Sequence, residues 1–571
     1  MTSPGPQGGR SSRRQDAWLV GGLLLLAVVL PLVISAVAGT LEIPRNDDWS
    51  YRRIAVELAR TGRFALDGIS ETMIVGQILV TQPLLWLSGL QPWAFTAAGV
   101  IFAVGGILSA YALARQLLPP RHAALAAVLL AIFPAYLAYA TSFMSDVPAL
   151  AAQFICLAMG AIALRRRPIH MGWLLASMAV GVFAFSIREF AVAAPASVLV
   201  AAIFAERGRR DVWAMAFAVV VCSIALHLWK STLPGQLPPV GTGYGFPAAS
   251  RQAIATVAFV LSPAAIIAAI RWHPHWRRID VLIGAELGGV LAVARLLQWR
   301  AEGSMPRFIL DIQASQWGVP TRDHLSGGRP LLFADGVWIA VNCLALGVTV
   351  VVLAIGTGIA GAHLRRTRGS LNVLLERSGS SAGILLLYAL AVASGLMVFS
   401  LTRPIFDRYF WPLVPTLAIL FLYLPSDLKT TEILPTRRVT GYLAGSATVI
   451  GGVLGLISLS FLLNANAFDA ARWRAGADLL RTGIPADEID AGYEWMGYHA
   501  TSSGDPTRRG SQTPFYRNWW PAFRECGLVS SGTTDRRDAQ LVGTTEYALN
   551  LVSGPVETLY LYRVTGPGCE S

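Results

Sequence analysis

The chain has 571 residues, of which 54% are hydrophobic and only 14% are charged. This composition excludes an ordinary soluble globular protein and is typical of a protein that crosses a membrane many times. The formal net charge of +12 does not indicate nucleic-acid binding, because the basic residues cluster in short turns between apolar runs, as in the cytoplasmic loops of membrane proteins. We therefore expect membrane lipid, and no nucleic acid, as a partner.

The N-terminal segment contains Arg10, Arg13 and Arg14 and is followed by an apolar run over residues 18–38. A run of about 20 residues spans a bilayer and is too long for the hydrophobic part of an ordinary signal peptide. The pattern predicts a cytoplasmic tail over residues 1–17 and a first helix that stays in the membrane.

The first outside loop contains two adjacent acids, Asp47 and Asp48, at the start of a helical pattern. Apolar residues recur at helical spacing from Tyr51 onward, so the loop over 39–72 is predicted to contain an amphipathic helix on the membrane surface, with Asn46 or Asp47 as its N-cap. Carboxylates beside a membrane are energetically unfavourable without a function. A capping role and a chemical role are both open for this pair.

The same loop contains five arginines, which depart from the rule that outside loops have few basic residues. Arginines near a lipid surface bind phosphate groups well, so these side chains are predicted to hold lipid headgroups or a phosphorylated lipid substrate. They are Arg45, Arg52, Arg53, Arg60 and Arg63.

Twelve further apolar runs of spanning length follow along the chain. Their predicted bounds are 94–114, 123–141, 148–164, 171–187, 190–205, 212–229, 252–270, 280–298, 334–360, 382–401, 409–424 and 440–463. With a cytoplasmic N-terminus, this count places the arginine-rich turns inside and the C-terminus outside. The more polar segment 73–91 is interpreted as a re-entrant or interfacial piece, because counting it as a span would move the arginine clusters outside.

Charged residues also occur at three later outside edges of the spans. Asp146 precedes Pro148 at the start of a span, where it either caps the helix or faces the same cavity as Asp47. Arg188 and Glu189 lie between two spans with almost no loop. They form either an internal salt bridge or part of a site.

The third of these edges opens the twelfth span with Arg403, Arg408 and Tyr409. A guanidinium group presents its N–H donors in a fixed fork that matches the oxygens of a phosphate or pyrophosphate. An arginine at this edge is therefore predicted to bind a phosphate leaving group.

Residues 464–571 are predicted to form a small extracytoplasmic α/β domain. Its expected elements are a helix over 470–481, ended by the glycine and proline that follow, and strands at 540–542 and 558–561. The aromatic and acidic stretch 489–495 is either a packed strand or a carbohydrate-contacting surface.

Cysteine usage fits this division of the chain. Cys156, Cys222 and Cys343 lie within predicted spans, where a thiol serves as a small apolar side chain. Cys526 and Cys569 are the two cysteines of the C-terminal domain. They are candidates for a disulfide in an oxidising compartment.

Three of these stretches resemble motifs of GT-C fold glycosyltransferases, in particular the protein O-mannosyltransferase-like enzymes and the aminoarabinose transferases of lipid A. The first outside loop of these enzymes has an Asp-Glu-x-x-Tyr motif, which resembles Asp47-Asp48-Trp49-Ser50-Tyr51. Their Asp-x-Pro motif resembles Ser145-Asp146-Val147-Pro148. Their late Arg-Tyr-x-x-Pro-Leu element resembles Asp407-Arg408-Tyr409-Phe410-Trp411-Pro412-Leu413. The resemblance covers roughly residues 15–465, with Asp48 in place of the usual glutamate.

The resemblance implies a polytopic all-α membrane protein of the GT-C fold, with about 13 transmembrane helices and the small C-terminal α/β domain. It also implies a glycosyltransferase of the bacterial cytoplasmic membrane. Such an enzyme moves a hexose or pentose, with inversion, from a polyprenyl-phosphate donor to an extracytoplasmic acceptor, which is a glycan, a lipid or a protein of the cell envelope.

Site roles follow from the same resemblance. Asp47 is implied as the general base, with Asp48 as the alternative, and Asp146 as the residue that orients the acceptor or the base. Arg403 or Arg408 is implied to neutralise the leaving phosphate. The remaining predicted substrate-binding residues are Tyr51, Arg53, Arg188, Glu189 and Tyr409.

No cofactor is firmly indicated, although Asp47, Asp48 and Asp146 are candidates for holding a divalent cation. One rival is an O-antigen ligase or polymerase-like enzyme, because the loop over 299–333 contains several arginines and His324. The other rival is a non-enzymatic transporter or flippase of lipid-linked sugars. Transporters commonly contain internal repeats, and we see none in this sequence.

Overall fold

A computed structural model describes most of the chain. The described residues are 8–70, 72–166, 168–236, 246–303, 307–310, 312–320, 322–366, 381–401, 405–424, 437–506, 514–550, 554–566 and 568–569. They form eighteen α-helices: α1 (Gly8–Leu24), α2 (Leu30–Ala38), α3 (Asp48–Thr61), α4 (Val75–Ser88), α5 (Trp93–Arg115), α6 (Pro120–Ala131), α7 (Tyr136–Tyr139), α8 (Asp146–Leu164), α9 (Met171–Ile187), α10 (Ala193–Ala205), α11 (Arg210–Ser231), α12 (Phe246–Trp272), α13 (Arg278–Glu302), α14 (Asp335–Arg366), α15 (Ser381–Phe399), α16 (Leu413–Leu422), α17 (Arg437–Arg481) and α18 (Tyr493–His499).

Eight of the described helices are long and apolar enough to cross a membrane, and three shorter apolar helices accompany them. The protein is therefore a multi-pass membrane protein. Every predicted span falls on a helical segment, which confirms the helical membrane architecture. The first helix is longer than predicted, since α1, a π-helical turn at Leu25–Val29 and α2 continue from Gly8 to Ala38.

Two predicted spans are interrupted. The run 123–141 breaks after α6, because Ala135 has a left-handed conformation with φ of 70° and only the single turn of α7 follows. The run 409–424 begins with a 3-10 turn, Asp407–Phe410, ahead of the ten-residue α16. Both breaks meet at Trp411, whose ring centroid lies 5.1 Å from that of Tyr136. Non-helical backbone at membrane depth is tolerated where protein buries it.

Helix α3 begins directly after Asp47 and ends at Gly62, which has a left-handed φ of 69°. Its apolar stripe was expected to face lipid, but α3 packs between α4 and α18. Tyr51 and Ile54 are buried in this packing. Protein contacts therefore cover the stripe, and the first loop becomes part of the interior.

Helix α4 lies within the more polar segment 73–91, which was interpreted as a re-entrant or interfacial piece. It has 14 residues, which at 1.5 Å per residue give about 21 Å, less than the roughly 30 Å hydrocarbon core. Gln77 is fully buried and its Nε2 donates to the carbonyl of Phe143 at 2.6 Å. The polar residues of α4 thus face protein, and its length agrees with a segment that does not cross the membrane.

Helix α17 joins the membrane part to the C-terminal domain. The predicted span 440–463 and the predicted helix 470–481 are one continuous helix of 45 residues, so the expected boundary at residue 464 lies inside a helix. The packing nevertheless changes there. Leu462 and Ala465 belong to the large membrane core, whereas Ala467 and Phe468 belong to the core of the C-terminal domain.

The C-terminal domain contains a four-stranded sheet in the order β1-β2-β4-β3. The strands are β1 (Ile489–Asp490), β2 (Gly527–Ser530), β3 (Ala539–Ala548) and β4 (Val556–Val564). The two predicted strands lie within β3 and β4 and are confirmed. The stretch 489–495 is mostly not a strand, because only its first two residues pair and α18 begins at Tyr493. Cys526 and Cys569 form a disulfide.

One buried acid of this domain predicts a pH dependence of stability. Burial, reinforced by the negative charge of Glu525, raises the pKa of the Asp490 carboxyl to about 6. The folded protein therefore binds this proton more tightly than the unfolded chain. The resulting stabilisation is complete below about pH 4 and is lost as the pH rises through about 6.

We expect the wild-type protein to lose about 1 kcal/mol of stability from this group between pH 5 and pH 7. Replacement of Asp490 by Asn keeps an oxygen that accepts from Gly492 N (3.0 Å) and Tyr516 Oη (3.1 Å) but removes the titration. Thermal unfolding of the detergent-solubilised wild type and variant at both pH values measures the difference. Equal pH slopes for the two proteins would contradict the prediction.

Candidate active site

Asp47 lies at the N-terminal end of α3, but its side chain makes no capping hydrogen bond. Its Oδ1 accepts from the hydroxyl of Tyr493 at 2.9 Å, and its Oδ2 accepts from Asn46 Nδ2 at 3.1 Å. The Asp47 side chain is 31% exposed. The geometry thus leaves this carboxylate accessible and does not support a purely capping role.

Asp48 has a different environment. Its side chain is fully buried and its Oδ1 lies 3.0 Å from Arg52 Nε, while Oδ2 accepts from the backbone N–H of Phe143 at 3.1 Å. Burial raises the pKa of Asp48, and the Arg52 guanidinium acts in the opposite direction. These contacts fasten α3 to the loop after α7, so Asp48 acts as a structural anchor.

Asp146 is also buried, at the start of α8. Its Oδ2 lies 3.0 Å from Arg188 Nη2 and 3.4 Å from Arg408 Nε. Arg188 Nε also donates to Ser145 Oγ at 2.9 Å. The predicted alternative of an internal salt bridge that fixes two helices is confirmed for Arg188, whose partner Asp146 opens α8.

Arg408 connects this pair to Asp47. Its Nη2 lies 3.9 Å from Asp47 Oδ2, and its guanidinium lies 4.7 Å from the ring centroid of Phe406. Within the part of the chain that the structure describes, its buried Nη1 has no hydrogen-bond partner. The four side chains Arg188, Asp146, Arg408 and Asp47 therefore alternate in charge along one row, and a donor of Arg408 remains for a ligand.

Asp407 fixes the backbone turn that carries Arg408. Asp407 is buried and its Oδ2 accepts from the N–H groups of Ala314 at 2.8 Å and Gln313 at 3.3 Å. These bonds come from the large loop before α14, where Gln313 also accepts from the Tyr139 hydroxyl at 2.7 Å. The 3-10 turn that carries Arg408 is thus fixed by α7 and by this loop.

The other predicted binding residues divide into two groups. Tyr409 and Tyr51 belong to the site: the Tyr409 ring lies 5.3 Å from the Arg188 guanidinium, and Tyr51 is buried within electrostatic reach of Asp47, Arg188 and Asp146. The remaining residues lie elsewhere or are not described.

Arg53 donates to the carbonyl of Gly497 at 3.1 Å and contacts the C-terminal domain. Glu189 pairs with Lys230 at 3.1 Å, a partner that sequence reasoning missed. Arg403 lies outside the described residues.

Two loop arginines that were expected to face phosphate have internal roles. Arg45 Nε lies 2.9 Å from Asp469, and both side chains are almost completely buried. Arg52 is paired with Asp48 and donates to the carbonyl of Glu42 at 2.7 Å. Their departure from the charge rule is therefore explained by buried ion pairs, and the phosphate prediction is wrong for both.

The candidate cation ligands are not assembled into one cluster. Asp48 and Asp146 each face arginines, as described above. Among the residues for which the structure gives positions, no group of three or more His, Cys, Asp or Glu side chains is arranged to hold a metal ion. Asp48 and Asp146 are thus each ion-paired with arginine, and Asp47 is the accessible carboxylate of the three.

An apolar cavity of about 410 Å³ lies between α12, α14, α15 and α16. Its lining includes Val257, Leu396, Met397 and Phe421, and also Ile405 and Phe410, which lie on either side of Arg408 in the sequence. The wall is almost wholly hydrocarbon.

Part of the chain matches a known protein family. Residues 80–233 match the family described as dolichyl-phosphate-mannose-protein mannosyltransferase. This part includes Asp146 and Arg188 but covers less than half of the chain. The match confirms the predicted resemblance to GT-C glycosyltransferases over this range. No curated protein matches the chain.

Several solved structures are similar at low sequence identity. ArnT from Cupriavidus metallidurans bound to undecaprenyl phosphate is 14% identical with a TM-score of 0.42, over 96% of this chain and 99% of that one. The oligosaccharyltransferase of Archaeoglobus fulgidus in its apo form is 15% identical with a TM-score of 0.37, over 85% of this chain and 61% of that one. The same archaeal enzyme, AglB, in complex with an inhibitory peptide and a dolichol-phosphate is 13% identical with a TM-score of 0.29, again over 85% and 61%.

Proposed function

We propose that the protein is a membrane glycosyltransferase that transfers a sugar from a polyprenyl-phosphate donor to a hydroxyl acceptor on the extracytoplasmic side. The observation that carries this proposal is the row Arg188–Asp146–Arg408–Asp47, together with an apolar cavity whose wall includes residues on both sides of Arg408 in the sequence. It places an accessible carboxylate 3.9 Å from a buried arginine that has an unused donor in the described part of the chain.

Asp47 is the proposed general base. It accepts the proton of the acceptor hydroxyl while the hydroxyl oxygen forms a bond to the anomeric carbon of the sugar. The bond between that carbon and the phosphate oxygen breaks, and polyprenyl phosphate leaves. A base must be within hydrogen-bond reach of the proton that it removes, and Asp47 is the most exposed of the three predicted acids.

Arg408 is the proposed phosphate ligand. Negative charge grows on the leaving phosphate as the bond breaks, and a preorganised guanidinium stabilises it strongly in a site from which water is excluded. Arg408 and Arg188 share the carboxylate of Asp146, so Asp146 orients the Arg408 guanidinium without fully neutralising its charge. Tyr409 and Tyr51 line the same place.

The apolar cavity is the proposed position of the first part of the polyprenyl chain. Its hydrocarbon lining includes Ile405 and Phe410, which precede and follow Arg408 closely in the sequence. The family matched by residues 80–233 is named for dolichyl-phosphate-mannose, a sugar on a polyprenyl phosphate, and this supports the donor class. We further propose the bacterial cytoplasmic membrane as the location, with the N-terminus inside and the C-terminus outside.

Two residues of the late loop on which the ligase-like rival depends have structural partners. His324 Nδ1 lies 3.2 Å from Glu494 Oε1, and Arg329 donates to Asn464 Oδ1 at 2.6 Å and to the carbonyl of Pro320 at 2.8 Å. These side chains hold the late loop on the C-terminal domain. They are therefore engaged in structure and not turned toward a substrate.

The test is release of polyprenyl phosphate by the purified full-length protein from a panel of polyprenyl-phosphate sugars, with hexoses and pentoses represented and a mixed envelope extract as acceptor. Turnover of at least one donor is the expected result. Movement of intact lipid-linked sugars across proteoliposome membranes, without release from any donor, would favour the transporter instead.

A further inference from the structure

The C-terminal domain contacts the loop that carries Asp47 through two neighbouring residues. The Tyr493 hydroxyl donates to Asp47 Oδ1 at 2.9 Å. The Glu494 Oε1 accepts from the backbone N–H of Asn46 at 3.0 Å. Both residues open α18, more than 440 positions along the chain from the acids. The proposed base is therefore held from outside the membrane part of the protein.

Tyr493 is itself rigidly held. Its side chain is 1% exposed, and its ring packs at 5.8 Å from Trp49, 5.3 Å from Phe515 and 5.6 Å from Trp519. Burial and the negative charge of Asp47 raise the pKa of Tyr493. The phenol consequently stays protonated at neutral pH and donates its proton to the carboxylate.

Glu494 holds the backbone of the same loop. Its Oε2 lies 2.7 Å from Arg472 Nη1, and its Oε1 lies 3.2 Å from His324. Burial alone would raise the pKa of Glu494, but Arg472 and His324 outweigh it and lower the pKa. The ionised carboxylate thus remains bonded to Asn46, whose left-handed φ of 53° is an unfavourable conformation that surrounding contacts must hold in place.

Helices α18 and α3 are in close contact, so α18 fixes the position of α3 beside Asp47. Gly497 of α18 lies against the Trp49 ring of α3, where a Cβ atom would approach Trp49 Cε2 to 2.2 Å. Only glycine fits at that distance. Arg53 of α3 also donates to the Gly497 carbonyl at 3.1 Å, so the two helices are joined beside the acid.

We propose that Tyr493 is a positioning residue for Asp47 and that the C-terminal domain is thereby a part of the active site. Its phenol fixes Oδ1 and leaves Oδ2 directed toward Arg408, at 3.9 Å. The inference rests on the proposed function, since it assigns a role in the transfer reaction. It predicts that loss of one hydroxyl group of the C-terminal domain, 446 positions from Asp47 in the sequence, alters the chemical step.

The test compares Tyr493→Phe with Tyr516→Phe. Both variants lose one buried phenol hydroxyl from the same aromatic cluster, but the Tyr516 hydroxyl donates to Asp490 at 3.1 Å and not to Asp47. For Tyr493→Phe we expect kcat to fall about tenfold, as for loss of a hydrogen bond to a charged group, with the KM of the donor within about twofold of wild type.

The pH profile separates positioning from a structural effect. Because the lost hydroxyl donated to the proposed base, the acidic midpoint of the kcat profile is expected to differ from that of the wild type in Tyr493→Phe. Tyr516→Phe is expected to keep the wild-type midpoint and kcat.

Three results would overturn the inference. One is an unchanged kcat and midpoint in Tyr493→Phe, and another is a loss of activity that follows only the folded fraction, with the midpoint unmoved. In both, the wild type is active and the proposed function stands. The third is a wild type that turns over no donor in the panel, in which case the proposed function fails and the inference fails with it.

Discussion

Replacement of Asp47 by Asn is expected to lower kcat about 100- to 10,000-fold, the range typical of a lost general base, while the protein remains folded. The amide cannot accept a proton, but it retains an oxygen that accepts from Tyr493 in the manner of the wild-type Oδ1 (2.9 Å). Its side chain is partly exposed, so the change removes no buried charge. Release of polyprenyl phosphate, measured with thermal unfolding of the same preparation, gives both quantities.

The neighbouring acid provides the matched control. Asp48→Asn leaves the buried Arg52 without its full counter-charge, because their ion pair has a separation of 3.0 Å with both side chains almost completely buried. Breaking such a pair typically destabilises a protein by about 3–5 kcal/mol. We expect Asp48→Asn to lower the melting temperature strongly, with activity lost in proportion to folded protein. Wild-type turnover in folded Asp47→Asn would contradict the assignment of the base.

Replacement of Arg408 by Gln is expected to reduce kcat about 100- to 1,000-fold and to weaken inhibition by polyprenyl phosphate. In the proposed reaction the guanidinium supplies donors to the leaving phosphate, and loss of one such preorganised donor commonly has this effect. The fold should tolerate the change, since Asp146 keeps Arg188 at 3.0 Å. Arg408→Lys keeps the charge without the planar fork and should lie between the wild type and the Gln variant.

A basic residue away from the site controls for a general effect of charge on lipid binding. Arg209 pairs with Glu206 at 2.8 Å and with Asp211 at 3.0 Å and is partly exposed, so Arg209→Gln is expected to leave kcat and product inhibition unchanged. The measurements are kcat and the inhibition constant of added polyprenyl phosphate. The role of Arg408 would be disproved by a well-folded Arg408→Gln protein that retains both wild-type values.

The spans and the ends of several elements were predictable because they depend on local signals. Apolar runs of about 20 residues set the membrane helices, and a glycine at position 62, a residue type common at helix ends, ends α3. Short stretches at 540–542 and 558–561 correctly predicted strands that became β3 and β4. The break between α6 and α7 and the continuity of α17 were not predictable, because distant packing at Trp411 and at the C-terminal core decides them.

The membrane class, the helical architecture and the candidate acids follow from composition and motif alone, since hydrophobicity and residue type are properties of the chain itself. Which acid serves which role depends on partners that are remote in sequence. Asp48 is buried by Arg52 and Phe143, whereas Asp47 is held by Tyr493, 446 positions away. No sequence spacing encodes such a contact, because it exists only once α18 docks on α3. Tertiary structure therefore decided the roles of two identical neighbouring side chains.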